Sequence, residues 1–498
     1  MTNYKTTLMA GLASMTLLAS CSKNLLNLNP AGSIALDQSF EKASDAAQWD
    51  NGMYANLRSN VYGQYTFATD IQADQLNATL DYGNNYGSQQ DWVDFLATDY
   101  TISGEWSGYY NGVASDNVAI AGIQTIVPQS AQDSATIRQC LGDAYLARAY
   151  YYQDLVLRWA KAYNPGTASS DPGVPLVLKY DINDKPARAS VNAVYTQILA
   201  DLAQARILLA GVPGQAGSTT FNQDVVLALE ARTRLYMQDW AGAKAAADSL
   251  IASGTYPLVT NQQQFTSMWT NDLPNESILQ LNVSQPNELP NTNGLYISYN
   301  SATGADDPLY IPSQWVVDMF DASDIRKAAY FITASTIIQG NPFTLTLVNK
   351  YPGNPKLFTA TYSNYAQAPK LFRIAEMYLI SAEAAAEQGN NAAALSTLNQ
   401  LRTARGLAAI TSGVSSDSVT NAVRDERFRE LAFEGFRLDD LKRWNLGFTR
   451  HNPQNPNALV PGANFTTLSV PAGANKFVWG LPVNDITINP NLAQNPGW

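Results

Sequence analysis

The chain is predicted to be mainly helical, with paired helices supporting an irregular, loop-rich face. Four stretches carry that prediction. Arg424–Asn445 (RDERFRELAFEGFRLDDLKRWN) spaces Phe428, Leu431, Ala432, Phe436, Leu441 and Trp444 as one buried helical stripe, Trp444 included in the core. Ala228–Ile251 and Ala375–Arg402 each spell helix, tight turn, alanine-rich helix, so the chain repeats a hairpin whose small residues let helices approach closely. Ser134–Tyr163 adds a long helix in which Leu146, Tyr150, Leu155 and Trp159 recur at helical spacing among alanines.

In chain order, Met1–Ser20 is expected to be a secretory leader, with Lys5 ahead of the apolar run Leu8–Leu18 and no acid. That run is too short to span a bilayer. It ends in Leu18-Ala19-Ser20-Cys21, which resembles a bacterial lipobox with Cys21 as the lipidated residue. Residues 21–44 would then be a tether, containing Pro30 and Gly32 and no acid before Asp37. The two or three acyl chains of such a lipoprotein would anchor it stably to outer-membrane lipid.

Asp45–Arg58 is the first expected helix of the body, and Trp106, Tyr109 and Tyr110 belong to another that runs to about Ile126. Ser190–Leu209 opens on a serine cap, and Asp239 separates the helices Asp224–Gln238 and Trp240–Ser253. Asn282–Pro312 is a loop-like insertion of the length that usually carries function. Ser313–Phe320 returns to helix, and Lys476–Trp479 is a short strand candidate.

The charges of Arg424–Asn445 offer helical pairs: Asp425–Arg429 and Asp439–Arg443 four apart, Arg427–Glu430 and Glu434–Arg437 three apart. Exposed, each pair would contribute only about 0.3–0.5 kcal/mol. So charged a run around an apolar stripe is expected to be an internal hub, not a solvated face or a catalytic carboxylate cluster. Gly435 would mark a kink or a junction between two helices.

This segment resembles the C-terminal signature of the SusD/RagB family of nutrient-binding outer-membrane lipoproteins. LARAYYYQDLVLRW with the following Gly173–Leu176, the D-x-x-D-x-R element in Asp321–Lys327 and the terminal NPNLAQNPG resemble further family segments. The resemblance runs from about Asp45 to Trp498, with Trp498 where tyrosine is more usual. It implies a SusD-like fold of degenerate tetratricopeptide-like pairs, with an N-terminal region 45–270 and a C-terminal region 271–498 in one body. It further implies a lid on a SusC-type TonB-dependent barrel, at the cell surface, that captures oligosaccharide or another large nutrient and hands it on for import.

The residues themselves argue for binding over catalysis. A net charge of −11 opposes nucleic acid, and no basic patch offsets it. Only His451 is available for histidine chemistry, so neither a histidine-dependent triad nor a His-rich metal site can assemble, and no nucleotide or hydrolase motif points to a cofactor. Two carboxylates would suffice for glycoside hydrolysis, and Glu288, Asp306 and Asp307 are the loop acids to inspect. The adjacent Asp306 and Asp307 could also meet calcium, although not as an EF-hand. A helical glycan hydrolase and a protein-binding repeat scaffold are the alternatives.

Sugars present flat C–H faces rimmed by hydroxyls, which aromatic rings and amides complement. Turn-rich loops at Tyr82–Trp92 and Tyr296–Tyr310 supply both. Tyr82, Asn85, Tyr86, Trp92, Tyr296 and Tyr299 are the candidate ligand contacts, the five rings expected to be partly exposed on one side of the body.

Overall fold

The computed structural model describes residues 39–498 apart from 62, 291–293 and 452, so the leader, Cys21 and most of the tether lie outside the described residues. Helices dominate. The first half provides α1 (Ala43–Asn60), α2 (Gln64–Gln72), the short strand β1 (Leu76–Ala78), α3 (Tyr100–Ile123), α4 (Ala131–Trp159), α5 (Val191–Leu208), α6 (Gln223–Tyr236) and α7 (Trp240–Ser253). The second half provides β2 (Tyr310–Pro312), β3 (Phe331–Ile338), β4 (Asn341–Val348), α8 (Ile374–Glu387), α9 (Asn391–Ala404), α10 (Ser416–Leu431) and α11 (Arg437–Arg443). None of the described helices is long and apolar enough to cross a membrane.

The expected starts are set by caps. Ser190 accepts a hydrogen bond from the Ala193 amide, Asp239 from Gly242, and Asn390 from Ala393. Each satisfies an N–H that the first helical turn leaves open. α4 begins earlier than expected because Ser130 caps it through the Asp133 amide.

The two predicted hairpins stack on each other. α7 packs between α6 and α8, and α8 packs in turn on α9 and α10. Ala243 and Ala247 on one side and Ala382, Ala384 and Ala385 on the other are buried, so backbones separated by more than a hundred residues come close. The Ser381 hydroxyl crosses this contact to Asp248 at 2.6 Å. On the other flank α4 lies against α1, α3 and α5, and α5 against α6. Gly112 of α3 has no alternative there: a Cβ would sit 2.4 Å from the Tyr151 ring.

β3 and β4 form a hairpin that the sequence reading passed over. Its two-residue turn, Gln339-Gly340, has positive φ at both positions (50° and 74°), the mirror-image turn that matches strand twist. β3 also carries Ala305–Asp306 in parallel, and so holds part of the long insertion in place. The Lys476–Trp479 strand is not formed; Asn475–Phe477 is a short 3-10 turn. Trp479 is buried behind it and donates its indole N–H to Gln72.

The hub and the candidate ligand face

Gly435, at φ +83°, is the junction between α10 and α11, placing the charged segment at the centre of the fold. Its pairing is mostly remote. The fully buried Glu430 accepts from Arg405 (2.9 Å), Arg373 (2.7 Å) and Arg326 (3.1 Å), which come from other segments. Glu434 meets Lys350 and Arg373, Arg437 grips Asp74 at 2.9 and 2.6 Å, and Arg443 grips Glu383. The expected partners Arg427–Glu430 and Glu434–Arg437 are therefore replaced, and Asp439 pairs with Arg158 while Arg443 takes Asp440. Most of the charges on these two helices are buried against several different neighbours, so sequence spacing alone no longer chooses the partner.

Two of the family-like motifs meet here. Asp324 caps the helix Ile325–Tyr330 and holds Arg326 in two hydrogen bonds, and Arg326 reaches Glu426 and Glu430. Burial alone would raise the Glu430 carboxyl; the charges of Arg405, Arg373 and Arg326 reverse this and hold it well below the ordinary range. Trp444 differs from its predicted place. It is half-buried, with its indole N–H on Glu383 at 2.7 Å, because it ends α11 where the stripe runs out to the surface.

A cavity of about 100 Å³ adjoins the hub, lined by Tyr65, Asp154, Arg158, Arg232 and Trp269 among others. An apolar cavity of roughly 150 Å³ holds one benzene, so this space is too small for an oligosaccharide. Ligand capture has to be sought on the surface.

The two loops chosen from the sequence do meet. β1 pairs antiparallel with β2, Thr79 bonds the Pro308 carbonyl at 2.7 Å, and the Tyr310 hydroxyl donates to the Asn85 carbonyl at 2.5 Å. Asp81 accepts from the Gln339 amide, which ties the β3–β4 turn to the same region. The rings, however, divide. Tyr86, Trp92 and Tyr296 are buried, at 7%, 7% and 3% exposure, which corrects the expectation of partly exposed rings. Trp92 packs edge-on against Phe448 and Phe477 and donates to the Gln72 carbonyl; Tyr296 packs between Phe67 and Phe433.

The reason lies in packing that outweighs backbone strain. Tyr86 and Trp92 flank the short helix Gly87–Asp91 in left-handed conformations, at φ +54° and +64°. That costs roughly 1–2 kcal/mol per residue, less than the roughly 3–5 kcal/mol at stake in a well-buried large aromatic. Packing wins, and the rings turn inward.

Tyr82, half-buried, lies edge-on to Tyr310 and Phe465, with the exposed Asn85 beside it. Tyr299 is 41% exposed and pairs with Tyr362, 49% exposed, at a centroid distance of 4.7 Å and 35° between planes. The Tyr299 amide donates to the Tyr365 hydroxyl at 2.9 Å, so a third tyrosine fixes the pair from behind. Tyr362 and Tyr365 were missed, although Thr359–Pro369 has the same turn-rich, tyrosine-bearing composition as the loops that were chosen.

Of the loop acids, Glu288 is engaged with Arg58, Asn282 and Ser284, Asp307 lies against Asp81, and burial raises the Asp306 carboxyl. Burial raises Asp307, and the Asp81 charge adds to it. Among the described residues, no group of three or more His, Cys, Asp or Glu could hold a metal ion.

The sequence and the fold both match known proteins. Residues 296–498 match the SusD family model, and residues 28–235 match a model described as "Starch-binding associating with outer membrane". The chain belongs to the SusD/RagB family. A SusD-like protein, P38, of Formosa agariphila is 25% identical over 97% of both chains. In structure, a SusD superfamily protein from Bacteroides thetaiotaomicron superposes with a TM-score of 0.78 at 23% identity, covering 91% of this chain and all of that one. A putative sugar binding protein from Bacteroides vulgatus gives 0.77 at 22% identity, covering 92% and 99%. The fold is therefore the mainly helical SusD-like one. Its family-like motifs fall at the hub and along the α4 seam: Asn495 donates to the Trp159 and Trp479 carbonyls, and Trp159 to that of Gly480.

Proposed function

We propose that this protein binds an oligosaccharide or similarly large nutrient at the outer membrane, without cleaving it, and delivers it to a SusC-type TonB-dependent barrel. Support for carbohydrate comes from the family, from the starch-binding description of the N-terminal match and from the sugar-binding description of a structural neighbour. The observation that carries the reading here is the exposed Tyr299–Tyr362 pair, held by Tyr365 on the loop region that also presents Tyr82 and Asn85. Two adjacent rings with apolar faces in solvent and amides nearby suit a sugar ring's C–H face and its hydroxyls. Support is preformed, which limits the ordering cost on binding.

Titration calorimetry against a glycan panel tests this. Tyr299→Ala and Tyr362→Ala are each expected to weaken binding of whichever glycan the wild type takes by about 1–3 kcal/mol, by analogy with stacking on bases. Unchanged affinity in both variants would move the site elsewhere. Cleavage of labelled oligosaccharide by purified protein would favour the hydrolase reading, and barrel binding with a blank glycan panel the scaffold reading. Cys21→Ala is expected to abolish acyl labelling and release the protein from membranes.

A further inference from the structure

Asp50 of α1 and Asp143 of α4 lie in hydrogen-bonding contact with each other, one carboxyl against another. Asp143 is fully buried; its two oxygens accept from the Tyr54 hydroxyl at 2.9 Å and the Gln139 amide at 2.8 Å. The Tyr54 hydroxyl in turn accepts from the Phe221 amide at 2.6 Å, which fixes its direction. One oxygen of Asp50 is buried and has no hydrogen-bond partner.

Among the described residues, no cation forms an ion pair or hydrogen bond with either carboxyl. Arg148 of α4 is committed to Asp201 of α5 at 2.8 and 2.6 Å and to Asn117 of α3 at 2.7 Å. The other titratable groups that face it are acidic or neutral. α3 contributes the buried Asp116, α4 the buried Cys140, and α1 its own Tyr54. Two touching carboxylates without a counter-ion cannot both ionise at low cost. Burial first, and the neighbouring carboxyl second, raise Asp143 well above the ordinary range; burial pushes Asp50 up to about 7.

We propose that Asp50 and Asp143 share one proton and that this bond is a latch holding α1, the first described helix after the anchor-bearing segment, onto α4. Losing the proton leaves two negative charges in contact, one fully buried and one half-buried, and favours local release of α1. The sign follows from linkage. A carboxyl raised in the closed state stabilises closure fully below its ordinary value and loses that contribution as pH rises through the raised one. Opening of α1 therefore increases by up to about tenfold per pH unit as pH rises from the ordinary carboxylate range to about 7.

Hydrogen exchange of the full chain, corrected for the intrinsic pH dependence of exchange, reads this directly. Between about pH 5 and about pH 7 the α1 amides of the wild type are expected to lose protection by tenfold or more, while α8 amides in the same sample do not. Asp50→Asn supplies an amide N–H that bonds Asp143 without a shared proton, so its α1 slope is expected to flatten; Asp143→Asn is the mirror test. Asp116 titrates in all three proteins and cancels in the comparison. A wild type with no α1 slope, a slope shared equally by α8, or an undiminished slope in either asparagine variant would overturn the latch.

Discussion

Glu430 and Asp143 are both fully buried carboxyls on long helices, yet burial has opposite consequences for them. At the hub three arginines converge on Glu430, and desolvation is outweighed. Between α1 and α4, Asp143 meets another carboxyl and two neutral donors, and desolvation prevails. Depth sets the scale of the electrostatic effect, while the partner sets its sign. One region locks the fold where acid must protonate it to weaken it, and the other weakens as protons leave.

The largest expected effect breaks the hub side of this comparison. Glu430→Gln leaves Arg326, Arg373 and Arg405 short of their shared counter-ion and should cost about 3–5 kcal/mol in urea denaturation. A loss below about 1 kcal/mol would mean that the three cations find other partners. Asp50→Asn, which removes a potential like charge, should by contrast leave stability near pH 7 unchanged or improved.

The second test is the pH profile of the denaturation midpoint. Arg443 holds Glu383 low, and Arg373 and Lys350 hold Glu434 low, each against the opposing effect of burial. With Glu430 they contribute stability that is present above the ordinary carboxylate value and lost as pH falls through the lowered ones, so an acid limb is expected below about pH 4.5. The Asp50–Asp143 pair adds the opposite slope up to about 7. A profile without an acid limb would undo the contrast.

Trp444→Ala is a smaller probe of the hub's edge. With the ring half-buried and one hydrogen bond to Glu383, the loss should be roughly 1–2 kcal/mol, short of the roughly 3–5 kcal/mol of a core aromatic. Least of all, Tyr299→Ala and Tyr362→Ala should alter stability by no more than about 0.5 kcal/mol, as for exposed sites generally. A large loss from either would make the pair a packing element.

The sequence determined the helical class, the two alanine-rich hairpins and the central role of Arg424–Asn445, because each follows from local spacing and composition. Gly435 as a junction was legible for the same reason. Which acid meets which base was not: Arg326, Arg373 and Arg405 reach Glu430 from far along the chain, and only packing brings them there. The surface followed the same division. Composition found the two loops that join through β1 and β2, but could not tell Tyr86 and Trp92, turned inward at left-handed backbone positions, from Tyr299, left outside. Nor could it give Tyr299 its neighbour Tyr362, or set Asp50 against Asp143, since side chains distant in sequence acquire a face, a partner and a charge state only when the helices and loops close around them.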